Sequence, residues 1–129
     1  MKPELMWLVW AVALTVVQML IAVTGAFTQV GLMPLVGNRE NFPALTGWVG
    51  RADRAHRNAL ENLVLFASLV LVAVVANKTN EMTLLGAQIF FWARLVYAAV
   101  YLAGIPWLRT GVWTVSVVGL VIIFSQLVR

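Results

Sequence analysis

Three groups of residues in this sequence have the types and spacing of an anion-binding site. Arg54, Arg57, Asn58 and Glu61 recur at i, i+3, i+4 and i+7, which puts all four on one face of a helix. Arg94 is followed at i+3 and i+7 by Tyr97 and Tyr101, again on one face. Arg109-Thr110-Gly111 stands where an apolar stretch begins. A guanidinium presents a fork of donors that matches a carboxylate, and an amide both donates and accepts. A cation at a helix N-terminus opposes the macrodipole. Arg109 makes sense there if guanidinium and free backbone N–H groups converge on one bound negative charge.

These charges lie in or beside apolar runs, where insertion costs about 2.5–3.5 kcal/mol each, so each needs a partner. Arg94 stands in the middle of its run with no short path to water, and Glu61 is its expected counter-ion. Arg54 and Arg57 have a competing reading as arginines that snorkel to lipid headgroups, but Asn58 and Glu61 lie too deep for that. Tyr97 fits a site residue or an interfacial belt equally well, whereas Tyr101 shares the arginine's face and points inward. Thr110 serves as readily as an ordinary N-cap. His56 falls off the polar face and reads as a surface residue. Asp53 pairs with Arg57 at i+4 or favours the helix N-terminus. Trp7, Trp10, Trp107 and Trp113 stand near the ends of apolar runs and read as interfacial anchors.

The elements that must carry these groups are membrane spans. The chain has 129 residues, 62% hydrophobic and 11% charged, where a soluble domain carries about a quarter charged. At ~20 residues per span the length allows one domain of four spans, expected over 5–33, 52–76, 82–103 and 110–128. The stretch from 34 to 50 holds two Pro and three Gly with Asn38, Arg39, Glu40 and Asn41, and reads as a loop. The first apolar stretch is too long for a cleavable signal peptide. The fold class is all-α: an integral membrane four-helix bundle with antiparallel up-down topology. Basic residues concentrate on the side of the first and third connections, which the positive-inside rule places in the cytoplasm. With no Cys and one His, disulfides, thiolate zinc sites, iron–sulfur clusters and a cysteine nucleophile are excluded, and no metal site is expected. The net charge of +4 is strewn between apolar runs, unlike the basic tract of a nucleic-acid binder.

The string Arg51-Ala-Asp-Arg54-Ala-His56-Arg57-Asn58-Ala-Leu-Glu61-Asn, followed by Arg94-Leu-Val-Tyr97-Ala-Ala-Val-Tyr101 and Arg109-Thr110, resembles the MAPEG family, the membrane-associated proteins in eicosanoid and glutathione metabolism. Nearly the whole chain takes part, and the likeness is to a bacterial-type microsomal glutathione transferase. The resemblance implies a homotrimer with active sites between protomers, in a bacterial inner membrane with the active-site side cytoplasmic. Its co-substrate would be glutathione, and its other substrate a lipophilic small molecule arriving through membrane lipid. By that resemblance Arg54, Arg57, Asn58 and Glu61 would bind the glutathione backbone and carboxylates, Arg94 and Tyr97 would line the same pocket, and Tyr101 would hydrogen-bond near the peptide. Arg109 would stabilise the thiolate, with Thr110 beside it where relatives have serine. Two positions depart from the family pattern. The end of the first span reads Thr28-Gln29-Val30-Gly31-Leu32-Met33 where eicosanoid enzymes carry an arginine, and Asn62 stands where some relatives have tyrosine.

The implied chemistry is energetically sensible. A thiol of ordinary pKa ~8.5 is about 3% ionised at neutral pH, and lowering it by about two units raises that to roughly three quarters, for about 2.7 kcal/mol. One arginine and a helix N-terminus can supply that much. Two other functions compete: a non-catalytic trimer that binds lipid in the same clefts, and a small multidrug exporter. The exporter needs a carboxylate within its first span, and 5–33 contains none.

Overall fold

The computed structural model describes residues 1–37 and 42–129; Asn38, Arg39, Glu40 and Asn41, read above as part of a loop, lie outside the described residues. The elements are α1 (Pro3–Val30), a short α2 (Leu32–Val36), α3 (Gly47–Val75), α4 (Glu81–Ala103) and α5 (Pro106–Leu127). Among the described residues, four of these helices are long and apolar enough to cross a membrane. The chain is all-helical, as its composition demands of a chain in lipid, where backbone groups must be satisfied within each segment.

Local chemistry sets the helix ends. Gly31, at φ 84°, ends α1 at Val30 where 33 was expected. Pro106 fits the first helical position of α5, so that helix begins at Pro106 and not at 110. Gly104 closes α4 in the left-handed conformation. Asn80 caps the start of α4: its side chain accepts from Met82 and Thr83 N–H while Thr83 Oγ1 accepts from Asn80 N–H. The second long helix starts at Gly47, earlier than the expected 52.

Helices in lipid gain little by hiding apolar surface from one another, so close packing and polar contacts must join them. The α4–α5 seam is built on small residues. A Cβ on Gly86 would stand 2.7 Å from Gly119 O, and one on Gly119 would stand 2.7 Å from Gly86 O and 2.9 Å from Phe90 N. Beside it Phe66 and Phe90 stack with ring centroids 4.2 Å apart, packed with Val70, Ala87, Leu120 and Ile123. On α1, Gly25 leaves room for the Trp48 ring. Val9, Val16, Leu20, Val64, Leu71, Val118 and Val121 are exposed in the protomer, as residues facing acyl chains should be.

Polar contacts gather at the two ends of the bundle. At one, Thr83 Oγ1 lies 2.6 Å from Glu4 Oε2, Asn80 Nδ2 donates to Gln126 Oε1 at 3.0 Å, and Lys78 Nζ donates to Leu127 O at 3.0 Å. At the other, Gln29 and Thr46 exchange two hydrogen bonds, and Arg51 Nε donates to Leu102 O at 3.0 Å.

Candidate functional site

The second of these ends carries the residues singled out by spacing. On α3, Ala52, Ala55 and Ala59 are buried, which turns the adjoining face, with Arg54, Arg57, Asn58 and Glu61, away from the protomer core. Ala55 packs on Tyr97 and Tyr101, both buried, with Val112 of α5 against them. The two phenol rings sit 5.6 Å apart. Arg54 Nε donates to the Tyr101 hydroxyl at 3.2 Å, and Arg109 Cζ lies over the Tyr101 ring at 4.7 Å. Arg94 Cζ lies over the Tyr97 ring at 4.2 Å. Three guanidiniums thus gather on two rings from three helices, each ring–cation contact contributing about 0.5–2 kcal/mol.

Two cavities open here. A cavity of about 180 Å³ is lined by Asn58, Tyr97, Arg109, Thr110 and Trp113, so α3, α4 and α5 each supply a wall. A larger one, about 510 Å³, lies between α1, α3 and their connection, with Asp53, Arg54, His56 and Arg57 on its polar wall and Ala22, Ala26 and Phe42 among the residues opposite. Among the described residues no group of three or more His, Cys, Asp or Glu is placed to hold a metal ion. Guanidinium-bearing residues line both cavities: Arg54 and Arg57 the larger, Arg109 the smaller.

The family model for the MAPEG family matches residues 5–129. The chain belongs to the MAPEG family. It is an integral multi-pass membrane protein, and MAPEG members use glutathione and include transferases, peroxidases and non-enzymatic proteins. Comparison with curated proteins and with solved structures returns no match.

This MAPEG chain brings Arg54, Tyr97, Tyr101 and Arg109 into one cluster and sets Asn58 and Thr110 on the adjoining cavity. Arg57 pairs with Asp53 at 3.2 Å, the i+4 contact that the spacing allows, and is mostly exposed. Three expectations need correction. Glu61 does not pair with Arg94 within the protomer: it is exposed, and the two Arg94 terminal nitrogens are buried without a hydrogen-bond partner. The reason is helical phase. Ala59 and Leu63 face Arg94 across a small void shared with Thr15 and Gln18 of α1, and the residue midway between them on α3 points the other way. Arg94, 4% exposed, therefore lies behind Tyr97 and lines neither cavity described above. Second, Thr110 is not an N-cap: α5 starts a turn earlier, the Thr110 hydroxyl donates to Pro106 O at 3.3 Å, and Arg109 N–H is bonded to Ile105 O. The convergence of free N–H groups expected at Arg109 is thus not made by its own backbone. Third, His56 is not a surface residue; it is half-buried, with Nδ1 fully enclosed.

Two contributors escaped the spacing argument. Arg51 ties α3 to the end of α4 and lies under Gly104, where a Cβ would stand 3.3 Å from Arg51 Nε. Its signal was visible, since Arg51 precedes Arg54 by i−3. Trp113 walls the smaller cavity, and its position at i+4 from Arg109 carried the same information.

Proposed function

We propose that this MAPEG protein is a membrane-bound, glutathione-dependent transferase or peroxidase. It ionises the glutathione thiol for attack on a lipophilic electrophile. The observation that carries this reading is the clustering of Arg54 and Arg109 on Tyr101, which concentrates two fixed positive charges beside a cavity that a sulfur can enter. Glutathione has two carboxylates and a thiol. Arg54 and Arg57 are suited to the carboxylates, Asn58 to the peptide, and Arg109 to the sulfur. Tyr101 holds both Arg54 and Arg109 in place and can itself donate to the sulfur. Together these charges need to supply about 2.7 kcal/mol to make most of the thiol ionised at neutral pH.

The thiolate then gives its lone pair to an electrophilic carbon, forming a C–S bond as the leaving group departs with its electron pair. With a hydroperoxide it attacks the terminal oxygen, the O–O bond breaks, and the alkoxide leaves to take a proton from water as the alcohol. The sulfenic acid formed on glutathione is reduced by a second glutathione to the disulfide and water. Fixed alignment of the two reactants supplies further rate. The protein itself contributes no nucleophile, in keeping with its lack of cysteine. The reading includes a homotrimer, in which the exposed Glu61 meets a neighbouring protomer and not lipid, and a site that opens to the cytoplasm of a bacterium.

The test is the ultraviolet thiolate difference spectrum on adding glutathione to the purified protein in detergent. A signal in the wild type that is lost in Arg109→Ala supports the reading; its absence from an intact wild type overturns it. A second reading, a non-catalytic lipid-binding trimer, draws on an apolar groove of about 440 Å³ between α4 and α5, lined by Ile89, Trp92, Val96, Val112 and Val115 among others. Lipid binding that survives Arg109→Ala, with no thiolate in the wild type, favours it.

A further inference from the structure

Arg51 is half-buried and lines neither of the two cavities, and the glutathione reading gives it no role. Its Nε donates to Leu102 O at 3.0 Å. One turn further along α3, Arg54 holds the hydroxyl of Tyr101, the residue before Leu102. Two arginines of α3 thus grip consecutive residues of α4. The place they grip is where α4 ends. The last carbonyls of a helix lack partners within it, and a cation is favoured beside them. Val100 O and Tyr101 O are taken by the N–H groups of Gly104 and Ile105, and Leu102 O is taken by Arg51. Since α4 has no basic residue in its own last turn, α3 provides the cation. Gly104 leaves the room for it: a Cβ there would stand 3.3 Å from Arg51 Nε and 3.5 Å from its Cδ and Cζ.

Only Gly104 and Ile105 join α4 to α5. Arg109 stands in the first turn of α5, with its N–H bonded to Ile105 O and its guanidinium on the Tyr101 ring. The direction in which α5 leaves the connection therefore fixes where the Arg109 charge stands. We infer that Arg51 is a positioning residue of the thiolate site: through Leu102 O and the Gly104 turn it sets Arg109 against Tyr101, and it does not touch glutathione. The inference rests on the glutathione reading above and adds to it a residue that governs the acidity of the thiol and not the capture of the peptide. Coulomb attraction falls with distance, so a displaced Arg109 weakens the thiolate while Arg54 and Arg57 still receive the carboxylates.

Two measurements on the full-length protein in detergent test this. The ultraviolet thiolate signal of bound glutathione is titrated from about pH 5 to 9, and binding of S-methylglutathione, which keeps both carboxylates but has no ionisable thiol, is followed by calorimetry. Arg51→Met keeps an apolar stem and removes the donor. Its expected thiol pKa is about one unit above that of the wild type, leaving about threefold less thiolate at neutral pH, with S-methylglutathione affinity within about twofold. Arg51→Lys can still donate to Leu102 O, and a rise of about half a unit is expected. If Arg51→Met does not fold, Arg51→Lys decides: a raised thiol pKa with S-methylglutathione affinity kept supports the role, and an unchanged one overturns it. An unchanged thiol pKa in folded Arg51→Met makes Arg51 a clip between helices and overturns the inference. A loss of S-methylglutathione affinity as large as the loss of thiolate makes Arg51 a ligand contact and overturns it as well. A wild type without a thiolate signal overturns the glutathione reading and this inference with it.

Discussion

The two ends of the bundle differ in how their charged groups are used, although both also hold contacts satisfied within the chain, such as Gln29 with Thr46 and Arg51 with Leu102 O. At the end holding Glu4, Lys78, Asn80 and Gln126, the donors and acceptors are consumed by one another: a side chain caps a helix, a hydroxyl meets a carboxylate, and an ammonium closes on C-terminal carbonyls. At the end holding Arg54, Tyr101 and Arg109, one Nε hydrogen bond and a ring contact hold guanidiniums of residues that line cavities. The first arrangement stabilises helix ends. The second leaves charged residues lining cavities, which is what the proposed function requires. Polar residues near a membrane boundary are therefore informative less by their number than by whether their hydrogen bonds are already made within the chain.

The sharpest way to break this comparison is to remove charge from the open end. Arg109→Ala is expected to remove most of the bound thiolate at neutral pH, a loss of up to about 25-fold that is reached when the thiol returns to about 3% ionised, with the melting temperature nearly unchanged; the difference spectrum and a thermal melt check both. Substitution at the seam between the ends should do the reverse. Gly119→Ala drives a methyl to 2.7 Å from Gly86 O, and overpacking of this kind costs about 1–3 kcal/mol, visible as a lowered melting temperature. At the closed end, Asn80→Ala removes a cap and costs about 1 kcal/mol of stability, and it should leave thiolate formation intact. A thiolate loss in Asn80→Ala matching that in Arg109→Ala would show that the two ends do not divide the work. Tyr101→Phe keeps the ring under Arg109 but deletes the acceptor for Arg54; a loss of roughly tenfold or less in glutathione affinity is expected, consistent with about 0.5–1.5 kcal/mol for one hydrogen bond. Smallest of all, Asp53→Asn breaks an exposed i+4 pair and should shift the melting temperature by an amount worth a few tenths of a kcal/mol.

Part of the clustering at the site was legible because helical periodicity survives in sequence. Spacing and residue type set Arg54, the pair Tyr97 and Tyr101, and Arg109 in three separate groups that only the family resemblance joined, and the fold brings the four together. The misreadings share one cause. Spacing tells which residues share a face of one helix but not how that face is rotated against its neighbours. Glu61 and Arg94 were paired because both are charges in apolar runs, yet Ala59 and Leu63 occupy the side of α3 that meets Arg94. His56 was set aside because it leaves the polar face, and that same offset turns it toward the cavity wall beside α1. Thr110 was read as a helix start because the apolar run begins there, whereas Pro106 had already opened the helix.

The sequence by itself determined that the chain is four membrane-spanning helices with a basic and aromatic end, since hydrophobicity and the 3.6-residue period are local properties of the chain. Its string of arginines, Asn58 and tyrosines also carried the family. Only the tertiary structure decided which cations meet which ring. The bond from Arg54 to Tyr101 joins residues 47 apart in the chain, on the same two helices, α3 and α4, that Arg51 clasps through Leu102 O. Such contacts follow from the rotation of whole helices about their axes, which is set by packing summed over many side chains and is written at no single position.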